Sequence, residues 1–232
     1  MIIYGKNVIK EAIKAKRNIY NLYIDLKFKD FHFLNFVKNF NINYQLLNKH
    51  QLNEKAKNNN HQGIVAEVED YIYKKLNCFF NNNDLSLKKI LILDSIQDPH
   101  NLGAILRTVE AANFNGVILG KKHQVFLNGT VAKSSSGALE YVDIFLVDNL
   151  LNTIIKLKQN GFLIIGTDIK SQNNFSQIPK QKSLAIILGN EGKGIRLVLK
   201  QKCDLLIKIP MKGKINSLNV SVAAALMMYF AI

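Results

Sequence analysis

The stretch of sequence that decides the fold class is residues 89–112, which read KILILDSIQDPHNLGAILRTVEAA. It opens with a continuous apolar run at residues 90–93, which ends at Asp94. Such a run is typical of a parallel strand that is covered on both faces. A stripe of apolar residues at helical spacing follows: Leu102, Ile105, Leu106, Val109 and Ala112. The stretch predicts a strand followed by a helix, which is the repeating unit of an α/β sheet.

The same alternation extends in both directions along the chain. On the C-terminal side we predict strands at residues 117–119, 142–147, 162–166, 184–188 and 205–209, and a last helix that begins near Leu218. On the N-terminal side we predict helices at residues 8–15, 31–40 and 51–57, and strands at residues 19–25, 44–47 and 63–68. The fold class is therefore α/β.

A polar stretch separates the two series of elements. Residues 71–87 contain Asn81, Asn82, Asn83 and Asp84 in succession, which is typical of a linker. We therefore predict a small N-terminal α/β domain at residues 1–75, a linker at residues 76–87 and a larger domain at residues 88–232.

The composition narrows the class of protein. The formal net charge is +14, which suggests a polyanionic partner such as nucleic acid. Part of that charge is compositional, because lysine greatly outnumbers arginine and asparagine and isoleucine are abundant, as in proteins encoded by A/T-rich genomes. The distant cysteines Cys78 and Cys203 exclude a disulfide framework and a cysteine-rich zinc site. Neither a signal peptide nor a membrane span is visible, so we expect a soluble, cytoplasmic protein.

Three segments place polar residues or glycines directly after predicted strands, where open parallel sheets bind ligands. They are residues 98–107, 189–194 and 209–219. Each has a simpler interpretation: a helix start with Arg107 paired to Glu110, a glycine turn, and a helix capped by Ser217. The glycine segment is neither a dinucleotide fingerprint nor a P-loop, because its spacing is GxxGxG. Each segment taken singly leaves both interpretations open.

Together, the three segments resemble the motifs of the SpoU (TrmH-type) family of RNA 2′-O-ribose methyltransferases, in the SPOUT superfamily. Residues 98–108 match DPxNxGxxxRT, residues 189–194 match GxEGxG, and residues 209–223 match IPMxGxxxSLNVSVA. The resemblance covers residues 88–232. The N-terminal domain resembles the L30-like RNA-binding domain of rRNA-directed members, through YGKNV at residues 4–8 and HQG at residues 61–63. Asn7 departs from the histidine that is often found there.

The resemblance implies a parallel sheet with a deep trefoil knot, a homodimer, and S-adenosyl-L-methionine as cofactor. It implies that the cofactor lies against Gly189, Ile209 and Leu218, with glycine at 189 leaving room for its approach. Arg107 corresponds to the catalytic arginine of the family, and Asn101, Glu191, Ser217 and Asn219 surround it. No metal, membrane or DNA partner is expected. His100 is a weaker candidate for the base.

Resemblance to the two-domain bacterial members implies methylation of a guanosine in the peptidyl-transferase region of 23S rRNA. Four alternatives remain open. Within the superfamily, they are a tRNA ribose methyltransferase, a base-nitrogen methyltransferase and a resistance-type enzyme acting on another rRNA nucleotide. The fourth is a non-catalytic, RNA-binding ribosome assembly factor. A nucleotide-dependent dehydrogenase is a poor fit, since the glycine fingerprint is missing.

Overall fold

The computed structural model describes residues 1–80 and 86–232. These residues form two compact units. The N-terminal unit consists of Met1–Ile72 and Phe126–Tyr141, and the C-terminal unit consists of Tyr73–Val125 and Val142–Ile232. The domain boundaries predicted above stay a prediction; residues 126–141, which they assign to the second domain, pack with the first unit.

The helices and strands alternate along the chain, with short 3-10 helices at Ala138–Glu140 and Phe175–Gln177. In chain order they are β1 (Ile2–Tyr4), α1 (Lys6–Lys14), β2 (Ile19–Asp25), α2 (Phe31–Asn39), β3 (Gln45–Leu47), α3 (Lys49–Ala56), β4 (Ile64–Val68), α4 (Leu76–Phe80), β5 (Lys89–Asp94), α5 (Pro99–Ala111), β6 (Val117–Gly120), α6 (Gly129–Ser134), β7 (Ile144–Val147), α7 (Leu150–Gln159), β8 (Leu163–Thr167), β9 (Leu184–Gly189), α8 (Leu197–Lys200), β10 (Leu205–Ile207) and α9 (Val220–Phe230).

The N-terminal unit is built on a mixed four-stranded sheet of order β1-β4-β2-β3. Strand β4 runs antiparallel to β1 and β2, and β3 runs parallel to β2. Ile64, Val65 and Ala66 are consecutive and all buried, so β4 is covered on both faces. One of these two faces is covered by a hydrophobic cluster to which Leu52 and Ala56 of α3 belong.

A buried ion pair joins the two stretches of chain in the N-terminal unit. Arg17 donates to Glu140 over 2.7 Å, and the two side chains are only 8% and 5% exposed. The Nε atom of Arg17 also donates to the carbonyl of Glu69. Separating the pair would leave a buried charge without a partner, which lowers the stability of the folded state. The pair therefore holds residues 126–141 against the rest of the unit.

The C-terminal unit is built on a parallel six-stranded sheet of order β10-β8-β9-β5-β6-β7. Strands β5 and β9 lie at the centre of the sheet, and their side chains are almost all buried. One core cluster joins these strands to α7 and α8. Burial on both faces explains why residues 90–93 and 184–188 are continuous apolar runs.

The structure confirms the α/β fold class and all fourteen of the strands and helices whose positions were predicted, apart from shifts at their ends. Five elements had no predicted position: β1, α6 and α8, which are short, α7, and α4, which lies in the predicted linker. The four predicted linker residues Asn81 to Asp84 lie outside the described residues. Helix α9 is capped by Asn219, so the simpler interpretation with Ser217 as the cap is wrong. The trefoil knot stays a prediction from the resemblance.

Candidate functional site

The register of the two central strands brings the first and second motifs together. Strands β5 and β9 pair in parallel over six residues, and the last pair is Asp94 with Gly189. The chain leaves β5 towards β6 on one side of the sheet and leaves β9 towards β10 on the other. This is a point where strand order reverses, and the carboxyl ends of strands at such a point form a crevice that binds ligands.

A buried carboxylate anchors this edge of the sheet. Asp94 is fully buried and accepts hydrogen bonds from the backbone N–H and the Nε atom of Arg196, at 2.9 and 2.7 Å. A carboxylate leaves water only when charged or polar donors replace its solvation. The pair therefore fixes the residue at which the loop after β9 returns to the sheet.

Asn190 organises the glycine-rich loop that follows β9. Its backbone pairs in both directions with that of Gly194, at 3.1 and 2.8 Å. Its side-chain oxygen accepts from the backbone N–H groups of Gly192 and Lys193, and its side-chain nitrogen donates to the carbonyl of Ser95. One asparagine thus closes the loop on itself and ties it to the loop after β5.

The loop itself explains the glycine at position 189. A Cβ atom there would overlap the backbone of Gly194 and the nitrogen of Ile195. The loop turns back so tightly that no side chain fits between its two ends. Glycine at 189 is therefore required by the fold of the loop, whatever room it also leaves for a cofactor.

A chain of hydrogen bonds unites the three sequence motifs. Asn219 donates from Nδ2 to Oδ1 of Asn101 over 2.9 Å. Asn101 in turn donates from Nδ2 to Oε1 of Glu191, also over 2.9 Å. Asn101 lies in the first turn of α5, Glu191 in the loop after β9, and Asn219 at the start of α9. The second oxygen of Glu191 accepts from Asn190 at 3.2 Å.

The ends of two helices position this chain. Asp98 caps α5 by accepting from the backbone N–H of His100, and Pro99 occupies the first turn. Asn219 caps α9 by accepting from the backbone N–H of Ser221 at 2.8 Å. Both are ordinary helix caps, so these two motifs also form helix starts, with Asn219 and not Ser217 as the cap of α9. Asn219 performs both roles, because its oxygen caps the helix while its nitrogen reaches Asn101.

The segment before α9 has an unusual backbone. Within the described part of the chain, no backbone group of residues 209–218 makes a hydrogen bond with another group of the protein. This segment has no regular secondary structure, and residues 212–218 are exposed. Its N–H and C=O groups are therefore available to a ligand, since backbone polar groups normally find partners.

The other predicted site residues lie on the same helix and in the same segment as Asn101 and Asn219. Arg107 is exposed on α5, roughly 9 Å along the helix axis from Asn101. Ser217 and Leu218 are exposed in the segment before α9, and Ile209 is partly buried at its beginning. His100 is exposed. The contacts of Asn101, Glu191 and Asn219 are thus established, whereas the roles predicted for all these residues stay predictions.

The framework of the site includes three residues that were not predicted from the sequence: Asn190, Asp94 and Arg196. The position of Asp94 at the end of a predicted buried strand did indicate a paired carboxylate, because a buried acidic side chain needs a partner. The identity of that partner, 102 residues away, had no local signal. Asn190 stood within the quoted glycine segment, and nothing in the spacing indicated that it folds the loop.

In residues 1–80 and 86–232, no group of three or more His, Cys, Asp or Glu side chains could hold a metal ion. No helix among these residues is long and apolar enough to cross a membrane.

Comparison with known families accounts for nearly the whole chain. Residues 88–229 match the model of the SpoU rRNA methylase family. The chain belongs to the SpoU family. Residues 2–74 match a second model, described as RNA 2′-O ribose methyltransferase substrate binding. The protein is therefore an RNA 2′-O-ribose methyltransferase with a substrate-binding region ahead of the catalytic one.

Known relatives agree with this assignment. YacO of Bacillus subtilis, named for the TrmH family of tRNA/rRNA methyltransferases, is 37% identical, with 98% of this chain and 93% of YacO covered. Two solved structures share the fold. AviRb of Streptomyces viridochromogenes, a SpoU methyltransferase, has a TM-score of 0.82 at 19% identity, covering 100% of this chain and 88% of AviRb. The AdoMet-bound rRNA methyltransferase of Sinorhizobium meliloti has a TM-score of 0.80 at 21% identity, covering 99% and 85%.

Proposed function

We propose that this SpoU-family enzyme methylates the ribose of a guanosine in the peptidyl-transferase region of 23S rRNA. The observation that carries the activity is the hydrogen-bonded chain Asn219–Asn101–Glu191, which joins all three family motifs at the carboxyl edge of the sheet. The choice of large-subunit rRNA is supported by the substrate-binding match at residues 2–74 and by the positive charge of the chain. Such a substrate implies a cytoplasmic enzyme.

The cofactor is S-adenosyl-L-methionine, and the residues at this edge fit it. The unpaired backbone groups of residues 209–218 offer donors and acceptors to an adenosine, and the loop that begins at Gly189 is linked to the end of this segment through Glu191, Asn101 and Asn219. Ile209 and Leu218 add apolar surface. When bound, the cofactor supplies a methyl group on a positively charged sulfur.

The reaction is an in-line displacement. The ribose 2′-oxygen would bond to the methyl carbon as the carbon–sulfur bond breaks, the sulfur would keep the bonding electrons as a neutral thioether, and the hydroxyl proton would pass to water. Holding both reactants in line contributes much of the rate. In this proposal the chain of Asn101, Glu191 and Asn219 keeps the three loops in one arrangement, and Ser217 offers a further hydroxyl beside them.

Arg107 stabilises the negative charge that develops on the 2′-oxygen, or holds the adjacent phosphate. A guanidinium has a pKa above about 12 and stays protonated, so it makes a poor base but a strong donor to an oxyanion. Arg107→Ala should therefore abolish most methylation while cofactor affinity stays near that of the unchanged protein. Glu110→Gln, an exposed change one turn further along α5, is the matched control. Unchanged turnover in Arg107→Ala would remove Arg107 from the mechanism.

The substrate is tested by mapping. Purified protein is incubated with labelled S-adenosylmethionine and protein-free large-subunit rRNA, and the methylated ribose is located by its resistance to alkaline cleavage. One labelled guanosine in the peptidyl-transferase loop is the expected result. Labelled tRNA with unlabelled rRNA would contradict the proposed substrate and favour a tRNA enzyme. Failure to bind the cofactor and to label any RNA would favour a non-catalytic assembly factor.

The proposed enzyme acts as a homodimer. The face of α9 that carries Val222, Tyr229 and Phe230 is exposed and apolar, as a surface that pairs with a second copy would be. Sedimentation at micromolar concentration should give the mass of two chains. A monomer under these conditions would refute this part of the proposal.

A further inference from the structure

One edge of the N-terminal unit gathers several loops. The backbone of Gly5, at the start of α1, donates to Ile64, and that of Asp25, at the end of β2, donates to Gly63. Leu26 donates to Leu47, the last residue of β3. The beginnings of α1, α2 and α3 therefore lie around the loops at residues 25–30, 47–50 and 61–63. We call this surface the loop edge.

The loop edge carries exposed lysines with no acidic partner. Lys27, Lys29 and Lys49 are exposed, and in the described residues none of the three takes part in an ion pair. Lys6 is paired with Asp30 at 2.7 Å. The other acidic group, Asp25, accepts from the backbone N–H of Lys27. After these pairings, the edge keeps a positive excess.

Lysine number alone does not distinguish this edge, because the opposite end of the unit has a matching set. Lys16 follows the end of α1, Lys38 lies in the last turn of α2, and Lys57 caps the end of α3. All three are exposed. The two sets differ in the helix ends beside them. A helix carries a partial positive charge at its beginning and a partial negative charge at its end. The positive charges of helices and lysines therefore reinforce each other at the loop edge, whereas at the opposite end they have opposite signs.

Lys133 strengthens the positive field at the same edge. Its Nζ atom is the nearest atom to the place where a Cβ of Gly5 would be, directly at the start of α1. This ammonium makes no hydrogen bond or ion pair with any described residue, and burial lowers the pKa of Lys133. A partly buried cation beside the positive end of a helix is unfavourable by itself, and an incoming phosphate would relieve it.

The edge also offers a concavity and an apolar surface. A depression of about 520 Å³ is lined by Lys6, Lys27, Phe28 and Lys29 among others, which is the size of many ligand sites. Phe31, at the start of α2, is 74% exposed, and Leu26 is 61% exposed. Exposed aromatic rings beside phosphate-binding lysines are the features by which proteins bind unpaired nucleotides, with bases stacked on the rings.

We propose that the loop edge is the surface by which the N-terminal unit binds RNA, with its lysines on the phosphates of an unpaired strand and a base stacked on Phe31. The inference rests on the proposed function in taking RNA as the substrate. It adds the location of the contact and the kind of RNA, a single-stranded loop in preference to a duplex.

The test compares two triple variants of the full-length protein with equal charge change: Lys27→Gln/Lys29→Gln/Lys49→Gln at the loop edge, and Lys16→Gln/Lys38→Gln/Lys57→Gln at the opposite end. Affinity for a single-stranded rRNA loop is measured by fluorescence anisotropy over a series of salt concentrations. The loop-edge variant should bind at least about tenfold more weakly, and its salt slope should fall by about 0.7 for each lost phosphate contact. The opposite-end variant should change less than about threefold.

Two further measurements separate the causes. Phe31→Ala should weaken binding with an unchanged salt slope, because stacking releases no counterions. S-adenosylmethionine binding by calorimetry should be unaffected in every variant, so a loss of RNA affinity is distinguishable from a failed catalytic unit. Equal weakening by the two triple variants, or preference of the unchanged protein for a duplex of the same length, would overturn the inference.

Discussion

The glycine at position 189 gives a prediction that separates two explanations of a family motif. If the loop after β9 requires this glycine, Gly189→Ala should destabilise the folded protein even when no cofactor is present. A Cβ at 189 would overlap the backbone of Gly194 and Ile195, so the bridge between Asn190 and Gly194 must open. If the glycine only leaves room for the cofactor, Gly189→Ala should affect binding alone.

The expected magnitude follows from the contacts that must change. Opening the bridge loses two backbone hydrogen bonds, each worth about 1 kcal/mol. Local strain from an added methyl group costs roughly 1–3 kcal/mol in a packed region. Relaxation of the loop offsets part of this sum, so we expect Gly189→Ala to lower the free energy of unfolding by about 2–4 kcal/mol.

Two other glycines of the same loop serve as matched controls. A Cβ at Gly192 would meet only the side-chain oxygen of Asn190, at 3.6 Å, so Gly192→Ala should change stability by less than about 0.5 kcal/mol. Gly194 has open space around it but a φ of +68°, so Gly194→Ala should cost about 1–2 kcal/mol through backbone strain. Urea unfolding followed by circular dichroism gives all three values. Equal stability of Gly189→Ala and Gly192→Ala, with cofactor binding lost only in the former, would refute the reasoning.

Two predictions concern buried groups of the N-terminal unit. Burial lowers the pKa of His61, whose Nδ1 atom accepts a hydrogen bond from the backbone N–H of Gly63. As the pH falls, His61 is therefore protonated in the unfolded chain before it is protonated in the folded protein. The free energy of unfolding should consequently decrease below about pH 6.5. The fall should be absent in His61→Gln but present in the exposed control His50→Gln, and an identical pH profile for all three proteins would contradict it. Burial raises the pKa of Glu140, and Arg17 partly offsets this, so Arg17→Met should cost about 3 kcal/mol and adding Glu140→Gln should restore part of it. A double-mutant cycle by urea unfolding measures both values, and a double variant no more stable than Arg17→Met would exclude the buried charge as the cause.

Most of the fold was predictable because the sheets are buried on both faces. Residues 90–93 and 184–188 are continuous apolar runs, a pattern typical of parallel strands that are buried on both faces. Features that the sequence did not predict lie where that signal is weak. Strand β1 has only three residues, and its place in the sheet depends on β4, more than 60 residues later. The assignment of residues 126–141 to the first unit depends on tertiary contacts such as the Arg17–Glu140 pair, which leave no local pattern.

The site was predictable as a set of residues but not as an arrangement. Periodicity located the strand ends, and the resemblance supplied the residue types. Neither gave the register that pairs Asp94 with Gly189, and the position of the loops depends on it. Helix capping at Asn219 explained only half of that residue's contacts, because its second contact lies 118 residues away.

The order of donors along the polar chain explains why Asn101 is an amide. Asn101 accepts from Asn219 and donates to Glu191, so its side chain must carry both an acceptor and a donor. A carboxylate at 101 would accept from Asn219 but repel Glu191, and an apolar side chain would leave both partners unpaired. The negative charge of Glu191 therefore holds two loops and a helix start together through neutral amides. Such an arrangement fixes the loops without adding a second negative charge at the site where, under the proposed function, an RNA phosphate approaches.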